Sequence, residues 1–487
     1  MSGYTWAPST SDPKRWSRRM YGTEPFFNAA VSASDIRRAW ILTCYNCPSI
    51  AVRCQPSADY PEDSLEFAYH VETLSEVGKW ANESINRRHD APAGSDIFAT
   101  TSDIIDEYNN TDGPYPHEGV SAVRLSWCLL GDGNSIALFF RALHAPVDLR
   151  GTFIIMDRMF KNLVSSRPIE SLHWGEEVAC LPNPVPITAG LWKPSAEPTP
   201  EYLEWADATI TKLGLTDEPF CFPSRIDESP TPTLIHREIV QMPSSALKKF
   251  RDTCVHHDLT VTEAITAILF IAQSTAMERH YKFLDSPLPD TPGTMAFFPV
   301  DARRYIQEEH AGNAVTFANI PLDLLLMKKT IEDSGCLDKG RDLMIGKTFW
   351  DEFCSKFRKG WRDEAENQDI YAYSHDWMGH VVAGLEGVPD AHETIGPIMS
   401  SVGAVNAYIA SQYHSDTLAL DTHQLHGTLR NTAHSIVTHW WTFNGTFNVQ
   451  CGACDEYYPV DVVKEMMEEI RRWIDAIVAE SSPKARL

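Results

Sequence analysis

Phe139-Phe140-Arg141-Ala142-Leu143-His144-Ala145-Pro146-Val147-Asp148-Leu149-Arg150-Gly151 is the stretch that decides how this chain is read. An apolar run ends in a histidine, and a carboxylate follows four residues later. Pro146 lacks an N–H and has a fixed φ, so neither strand nor helix continues through the loop. A histidine at a strand end, in a tight loop before a helix, can sit in a cleft with a fixed orientation. Its ordinary pKa of ~6.5 lies near working pH and suits general-base work. A carboxylate nearby can lock such a loop by pairing with an arginine elsewhere. Spacing alone favours a plainer reading, in which His144 bonds only to backbone and Asp148 caps the next helix.

Working outward, Val123, Leu125, Trp127 and Leu129 alternate as a strand, and Gly131-Asp132-Gly133-Asn134 reads as a turn. The return strand runs from Ser135 to Leu143, and a helix follows with Ile155, Met159, Phe160 and Leu163 on one face. Upstream, Ala39 to Cys44 reads as a short apolar strand. Residues 63–85 read as a helix with Leu65, Phe67, Ala68, Val71 and Leu74 at its apolar positions. Downstream, ten of the 31 prolines fall between Pro182 and Pro232, which predicts an ordered crossover with one short helix at Glu201–Leu213. Beyond it, Ser244 or Ser245 is positioned to cap a helix containing Leu247, Phe250 and Cys254. Thr260-Val-Thr-Glu263 has capping-box spacing and opens an apolar helix through Ile265, Ile268, Leu269 and Ala272. Strands are expected at 294–300, 314–320, 398–408 and 435–449, and a final helix carries Val463, Met466, Met467, Ile470, Trp473, Ile474 and Ile477. The expected architecture is α+β, with two lobes of antiparallel-type strands and helices. The boundaries fall at residues 1–185, a crossover at 186–240, and 241–487.

His144-Ala-Pro-Val-Asp148 resembles the HxxxD motif of the condensation-domain and BAHD acyltransferase superfamily. Pro299-Val-Asp-Ala-Arg303 resembles that group's strand ending in arginine, Gly312-Asn313 its "GN" step, and Ser400-Ser-Val-Gly403 its serine-rich cleft strand. Trp16-Ser-Arg-Arg-Met-Tyr-Gly22 with Glu24 is similar to the opening of the fungal alcohol and trichothecene 15-O-acetyltransferases. Leu143 stands where condensation domains carry a first histidine, and Leu149 where they carry a glycine, although Gly151 is close by. The chain has no Asp-Phe-Gly-Trp-Gly stretch, unlike the plant-type members.

The resemblance implies two chloramphenicol-acetyltransferase-like lobes forming a V-shaped pseudo-dimer with a tunnel between them. It implies His144 as general base, taking the proton of an acceptor hydroxyl that attacks an acyl-CoA thioester with no acyl-enzyme. Asp148, Arg303 and Gly151 are then structural, with Asp148 paired to Arg303. Ser400, Ser401, Gly403 and Asn313 line the cleft. It implies no bound cofactor, with acyl-CoA, acetyl-CoA by preference, as cosubstrate of a monomer that acetylates a small natural product. Two alternatives stay open. The thioester sits on a carrier protein, or the fold is reused for a cyclisation or for binding.

Composition sets outer bounds. The 487 residues are 43% hydrophobic and 22% charged, near the globular norm. A net charge of −24 argues against nucleic acid and anionic membrane as partners. The N-terminus lacks the apolar core of a secretory signal, and no run approaches ~18 apolar residues. Eleven scattered cysteines fit reduced thiols. Cys44-x-x-Cys47 and Cys451-x-x-Cys454 are too far apart in the chain to favour zinc. His414, His423, His426, His434 and His439 read as polar lining of the second lobe rather than metal ligands, and His256-His257 as an exposed helix end. Asn82, Asn109 and Asn444 head glycosylation sequons expected to stay unused without a secretory signal. Ala485-Arg486-Leu487 resembles a peroxisomal address, which leaves cytoplasm or peroxisome as the expected location.

Overall fold

Ser32 and Asp35 close a reciprocal cap at the start of α1 (Ala33–Asn46): Asp35 N donates to Ser32 Oγ at 3.2 Å and Ser32 N to Asp35 Oδ2 at 3.0 Å. The helix therefore runs through Ala39–Cys44, where a strand was expected. Its residues from Ala39 to Cys44 are all buried, so the run carries no polar face to reveal a helical period. The computed structural model describes residues 7–8, 16–17, 31–56, 65–70, 73–110, 121–132, 135–192, 199–213, 234–282, 284, 294–307, 309–365, 367–373, 397–430 and 435–480. Gly133-Asn134, Trp16–Gly22 apart from a backbone strand at 16–17, Glu24, His434 and Ala485-Arg486-Leu487 lie outside these residues.

The helix expected over 63–85 is two elements. β1 (Arg53–Pro56) pairs antiparallel with β2 (Leu65–Ala68), and α2 (Leu74–Ser84) starts only at the capping box of Thr73 and Glu76. β3 (Ile85–Arg87) then leads to α3 (Ile97–Asn110). The hairpin of β4 (Val123–Leu129) and β5 (Ile136–Ala142) joins β3 in a three-stranded sheet of order β3-β4-β5. The sheet, α1, α2 and α4 (Leu149–Val164) close one core around Trp40, Trp80, Leu125, Ile155 and Met159. Trp40 and Trp80 stack with ring centroids 5.7 Å apart.

The helix expected at Glu201–Leu213 is α5 (Pro200–Leu213), preceded by a four-residue helical turn at Val185–Thr188, and β6 (Ile235–Met242) already belongs to the second sheet. α6 (Ser244–His256) has Pro243 as its N-cap, and neither Ser244 nor Ser245 supplies a cap bond, because Ser244 is itself the first helical residue. α7 (Val261–Tyr281) opens at the Thr260–Glu263 capping box, and every residue from Glu263 to Glu278 is buried. A helix wrapped in neighbours on all sides has little amphipathicity, and this one is the axis of the larger core.

The second sheet adds β7 (Thr294–Asp301), β8 (Val315–Leu322), β9 (Ile398–Ala404), β12 (Val437–Phe443) and β13 (Thr446–Cys454), in the order β8-β7-β9-β12-β13-β6. β10 (Gln412–His414) and β11 (Ala419–Asp421) form a separate pair between β9 and β12. The sheet is mixed, not antiparallel, since β9 runs parallel to both β7 and β12. β9 ends at Ala404 and a 3-10 turn follows, shorter than the expected strand to 408. The run 435–449 is two strands, because Asn444 (φ 47°) and Gly445 (φ 78°) turn the chain back. α8 (Leu324–Ser334), α9 (Cys354–Ala365) and α10 (Val460–Glu480) cover one face of this sheet with α7. No single described helix is long and apolar enough to cross a membrane.

The two halves are tied by the 410–430 segment. Tyr413 donates its hydroxyl to Asp157 of α4 at 2.7 Å, Asn109 of α3 donates to Thr428 at 3.3 Å, and Leu418 and Leu420 pack on the first core.

Candidate active site

β5 delivers the chain to His144, and α4 carries it away from Asp148. Between them the loop is held from the second half. Asn313 N donates to Pro146 O at 2.9 Å, and Asn313 Nδ2 donates to the carbonyls of His144 and Ala145 at 3.2 Å each. His144 keeps an exposed side chain while its backbone is clamped.

Asp148 is only 2% exposed and faces away from solvent. It accepts Arg303 Nη2 at 2.8 Å on one oxygen and Arg303 Nη1 at 3.0 Å on the other. Gly151 N at 2.6 Å and Ala314 N at 2.8 Å complete its shell, so Asp148 is also the N-cap of α4. Buried charges persist only when paired and hydrogen-bonded this fully. Arg303 further donates to Gly312 O at 2.6 Å and His310 O at 2.8 Å. Burial pulls the Arg303 pKa down, but Asp148 and Asp301 raise it above its ordinary value. Gly151 lies where α4 crosses the 311–312 backbone, and a Cβ there would sit 2.5 Å from Ala311 O.

Two residues that the sequence reading passed over join this set. Asp301 accepts Arg303 N at 3.1 Å and pairs with Arg150, which also donates to Val402 O at 3.1 Å. Burial pushes the Asp301 carboxyl up, yet the guanidiniums of Arg150 and Arg303 bring it below the usual range. Asp301 stood inside the quoted Pro299–Arg303 segment, and Arg150 inside the opening stretch. Nothing in their spacing links them, because the bridge spans 151 positions.

The strand register separates the two serines. Ser400 lies opposite His439 on β12, whereas Ser401 lies opposite the core residue Trp440 and its Oγ is 3.2 Å from Thr262 Oγ1 of α7. Ser401 is thus engaged by the helix behind the sheet and is removed from the cleft-facing candidates. Gly403 sits after a bulge in this pairing, with φ +83°.

The histidine cluster disperses. His414 and His423 are exposed, and His426 is half-buried with its ring centroid 5.1 Å from that of Phe98. His439 is buried, within electrostatic range of His144. His256 is exposed, but His257 stacks on Trp350 at 4.3 Å, so that helix end is half covered. Cys44, Cys47, Cys451 and Cys454 are buried, and among the described residues no group of three His, Cys, Asp or Glu could hold a metal ion. Asn109 is buried, and Asn444 is bonded to Thr422 O and to Asn406.

No family profile matches the chain. The structure superposes on the TRI3 trichothecene 15-O-acetyltransferase of Fusarium sporotrichioides with a TM-score of 0.69 over 97% of both chains, at 14% identity. The first condensation domain of the CDA synthetase follows at 0.54, over 94% of this chain and 91% of that one, at 11% identity. The fold is that of the condensation-domain and acyltransferase proteins. By sequence, the O-acetyltransferase pigM of Monascus ruber is 22% identical over 349 residues, 70% of this chain. The match spans 62% of that relative's length.

Within this condensation-type fold the arrangement sets one exposed imidazole on a loop that cannot move without breaking the Asp148–Arg303 pair. A cleft of about 1000 Å³ lies apart from it, between β6, the 339–345 segment and α10. Lys339, Arg341 and Arg471 line it together with Glu238, Asp342 and Asp475, so its charge favours neither sign of ligand.

Proposed function

We propose that the protein is an acyl-CoA-dependent O-acyltransferase acting on a small natural product. The observation that carries this reading is the fixed His144: its carbonyl is pinned by Asn313, its loop by the buried Asp148–Arg303 pair, and its ring is left exposed. The fungal O-acetyltransferases among the similar proteins support the same chemistry.

His144 takes the proton of the acceptor hydroxyl, and that oxygen attacks the thioester carbon. The tetrahedral intermediate collapses by C–S cleavage, and the leaving thiolate takes the proton back from His144. General-base help contributes ~10²–10⁴-fold. Asp148 keeps the loop geometry and is no part of a relay, since both its oxygens are occupied by Arg303 and backbone N–H groups. The site lies in a tunnel between two lobes of a monomer, the first ending near residue 185 and the second beginning by Ile235, where β6 enters its sheet. The likeness of Ala485-Arg486-Leu487 to a peroxisomal address keeps peroxisome beside cytoplasm as the proposed location.

Calorimetric titration with CoA and acetyl-CoA, for wild type and His144→Ala, tests the donor without knowledge of the acceptor. Saturable binding that survives the substitution supports the proposal. Absence of binding at millimolar ligand sinks it and favours a carrier-bound thioester, the reading that the condensation-domain likeness supports.

A further inference from the structure

On the face of the second sheet that meets α4, Val402, Trp441 and Phe443 pack with Phe153, and Arg237, Gln241, Asn448 and Gln450 share that face. Those polar residues are paired: Gln241 donates to Asn448 at 2.8 Å, and Arg237 donates to Asp106 at 3.0 Å. The register sets Gln450, His439 and Ser400 side by side across β13, β12 and β9. Gln450 is satisfied: its Oε1 accepts from Arg237 at 3.2 Å and its Nε2 donates to Gly427 O at 2.7 Å. His439 is 9% exposed, and its ring makes no hydrogen bond among the described residues. A polar ring with no protein partner here gains nothing for folding that an apolar residue would not supply. His144, in the loop that leads into α4, lies close enough for its charge to act on His439.

We propose that His439 is a second substrate-contacting residue of the His144 cleft, donating a hydrogen bond to the thioester carbonyl oxygen as it becomes an oxyanion. This inference rests on the acyl-transfer reading and names a donor for it. Burial, and then the His144 charge, push the His439 imidazolium pKa down to about 4. At neutral pH the ring is therefore uncharged and offers one N–H donor and one acceptor nitrogen. So weak a base does not compete with His144 for the hydroxyl proton. A neutral neighbour also leaves His144 free to become cationic when it takes that proton, which a second imidazolium would oppose. In the step itself His439 moves no proton. The hydroxyl proton goes to His144, the C–O bond forms, the C–S bond breaks, and the thiolate leaves with the returned proton. The oxyanion exists only between those events, so the bond from His439 strengthens there and not in the ground state.

The test is thiol release from acetyl-CoA with a panel of small alcohols, for wild type, His439→Phe and His439→Gln. His439→Phe fills the space without a donor, and its kcat should fall ~10²-fold while KM for acetyl-CoA stays nearly constant. His439→Gln keeps an N–H and should recover part of the rate, which a packing role would not predict. If His439→Phe melts cooperatively and retains wild-type kcat, the inference is overturned. Should it not fold, His439→Gln is compared with the donor-free His439→Leu, and equal kcat values with both folded would overturn the donor role. A wild type that releases no thiol refutes the proposed function separately. The ring NMR titration of His439 then decides: an upward shift of its midpoint in His144→Ala supports the shared cleft, and an unmoved midpoint overturns it.

Discussion

His144 and Asp148 do different work, and their substitutions should separate it. His144→Ala is expected to lower turnover by ~10²–10⁴-fold without changing the melting temperature, measured by kinetics and calorimetric melting on the same sample. Arg303→Ala leaves Asp148 charged and buried, and should cost ~3–5 kcal/mol in urea unfolding. Asp148→Asn should cost less, because the amide keeps an oxygen for Arg303 or a backbone N–H. The neutral histidines give stability a pH dependence of known sign. His439 and His426 titrate near about 4 in the folded protein against 6.5 for an ordinary imidazole, burial being the main cause in both. Between those values the unfolded chain binds more protons, so stability falls as pH drops from 6.5 toward 4. Replacing His439 by Gln should remove up to roughly 3 kcal/mol of that loss, read from unfolding at pH 4.5 and pH 7. Asp301 acts lower on the scale. Its depressed pKa stabilises the fold above the ordinary carboxylate value and loses that effect as pH falls through the folded value.

Elements hold the loop from outside it. Gly151→Ala drives a Cβ into the Ala311 carbonyl, so α4 must back away from the 311–312 backbone. The expected cost is ~1–3 kcal/mol, together with lost activity, checked by denaturation and kinetics. Thr260→Ala removes the Oγ that accepts Glu263 N at 3.2 Å and should cost ~1 kcal/mol with little effect on the site. The same comparison shows which elements the residues announce. β5 and α4 are part-buried, and β4, though mostly buried, alternates Val123, Leu125, Trp127 and Leu129 with Arg124, Ser126 and Cys128, so periods of two and 3.6 are visible in the order of residues. α1 hides its period because its middle is buried on every side, although Ser32 and Asp35 marked its start. The Asn444-Gly445 turn was equally visible as a dipeptide and was masked only by the apolar run around it.

At the scale of the whole molecule, the site depends on contacts that cross the sequence. Arg150 bridges α4 to Asp301 and to the Val402 carbonyl, positions 151 and 252 residues away. Arg150→Ala should weaken the attachment of the His144 loop to the second sheet. Hydrogen exchange at Gly151 and Thr152 should rise while exchange in α7 stays unchanged, since α7 is held by its own core. The mixed sheet was not legible in the residues, because strand direction and neighbour are set by crossovers and not by local pattern. What the sequence by itself determined was the chemistry-bearing loop, its flanking hairpin and helix, and the likeness that paired Asp148 with Arg303. Only the tertiary structure decided that Arg150 and Asp301 complete that pair, that Ser401 turns to Thr262, and that His439 comes within electrostatic range of His144. Local patterns report which face of an element is buried, whereas charge pairing and cleft membership depend on which distant elements arrive at that face.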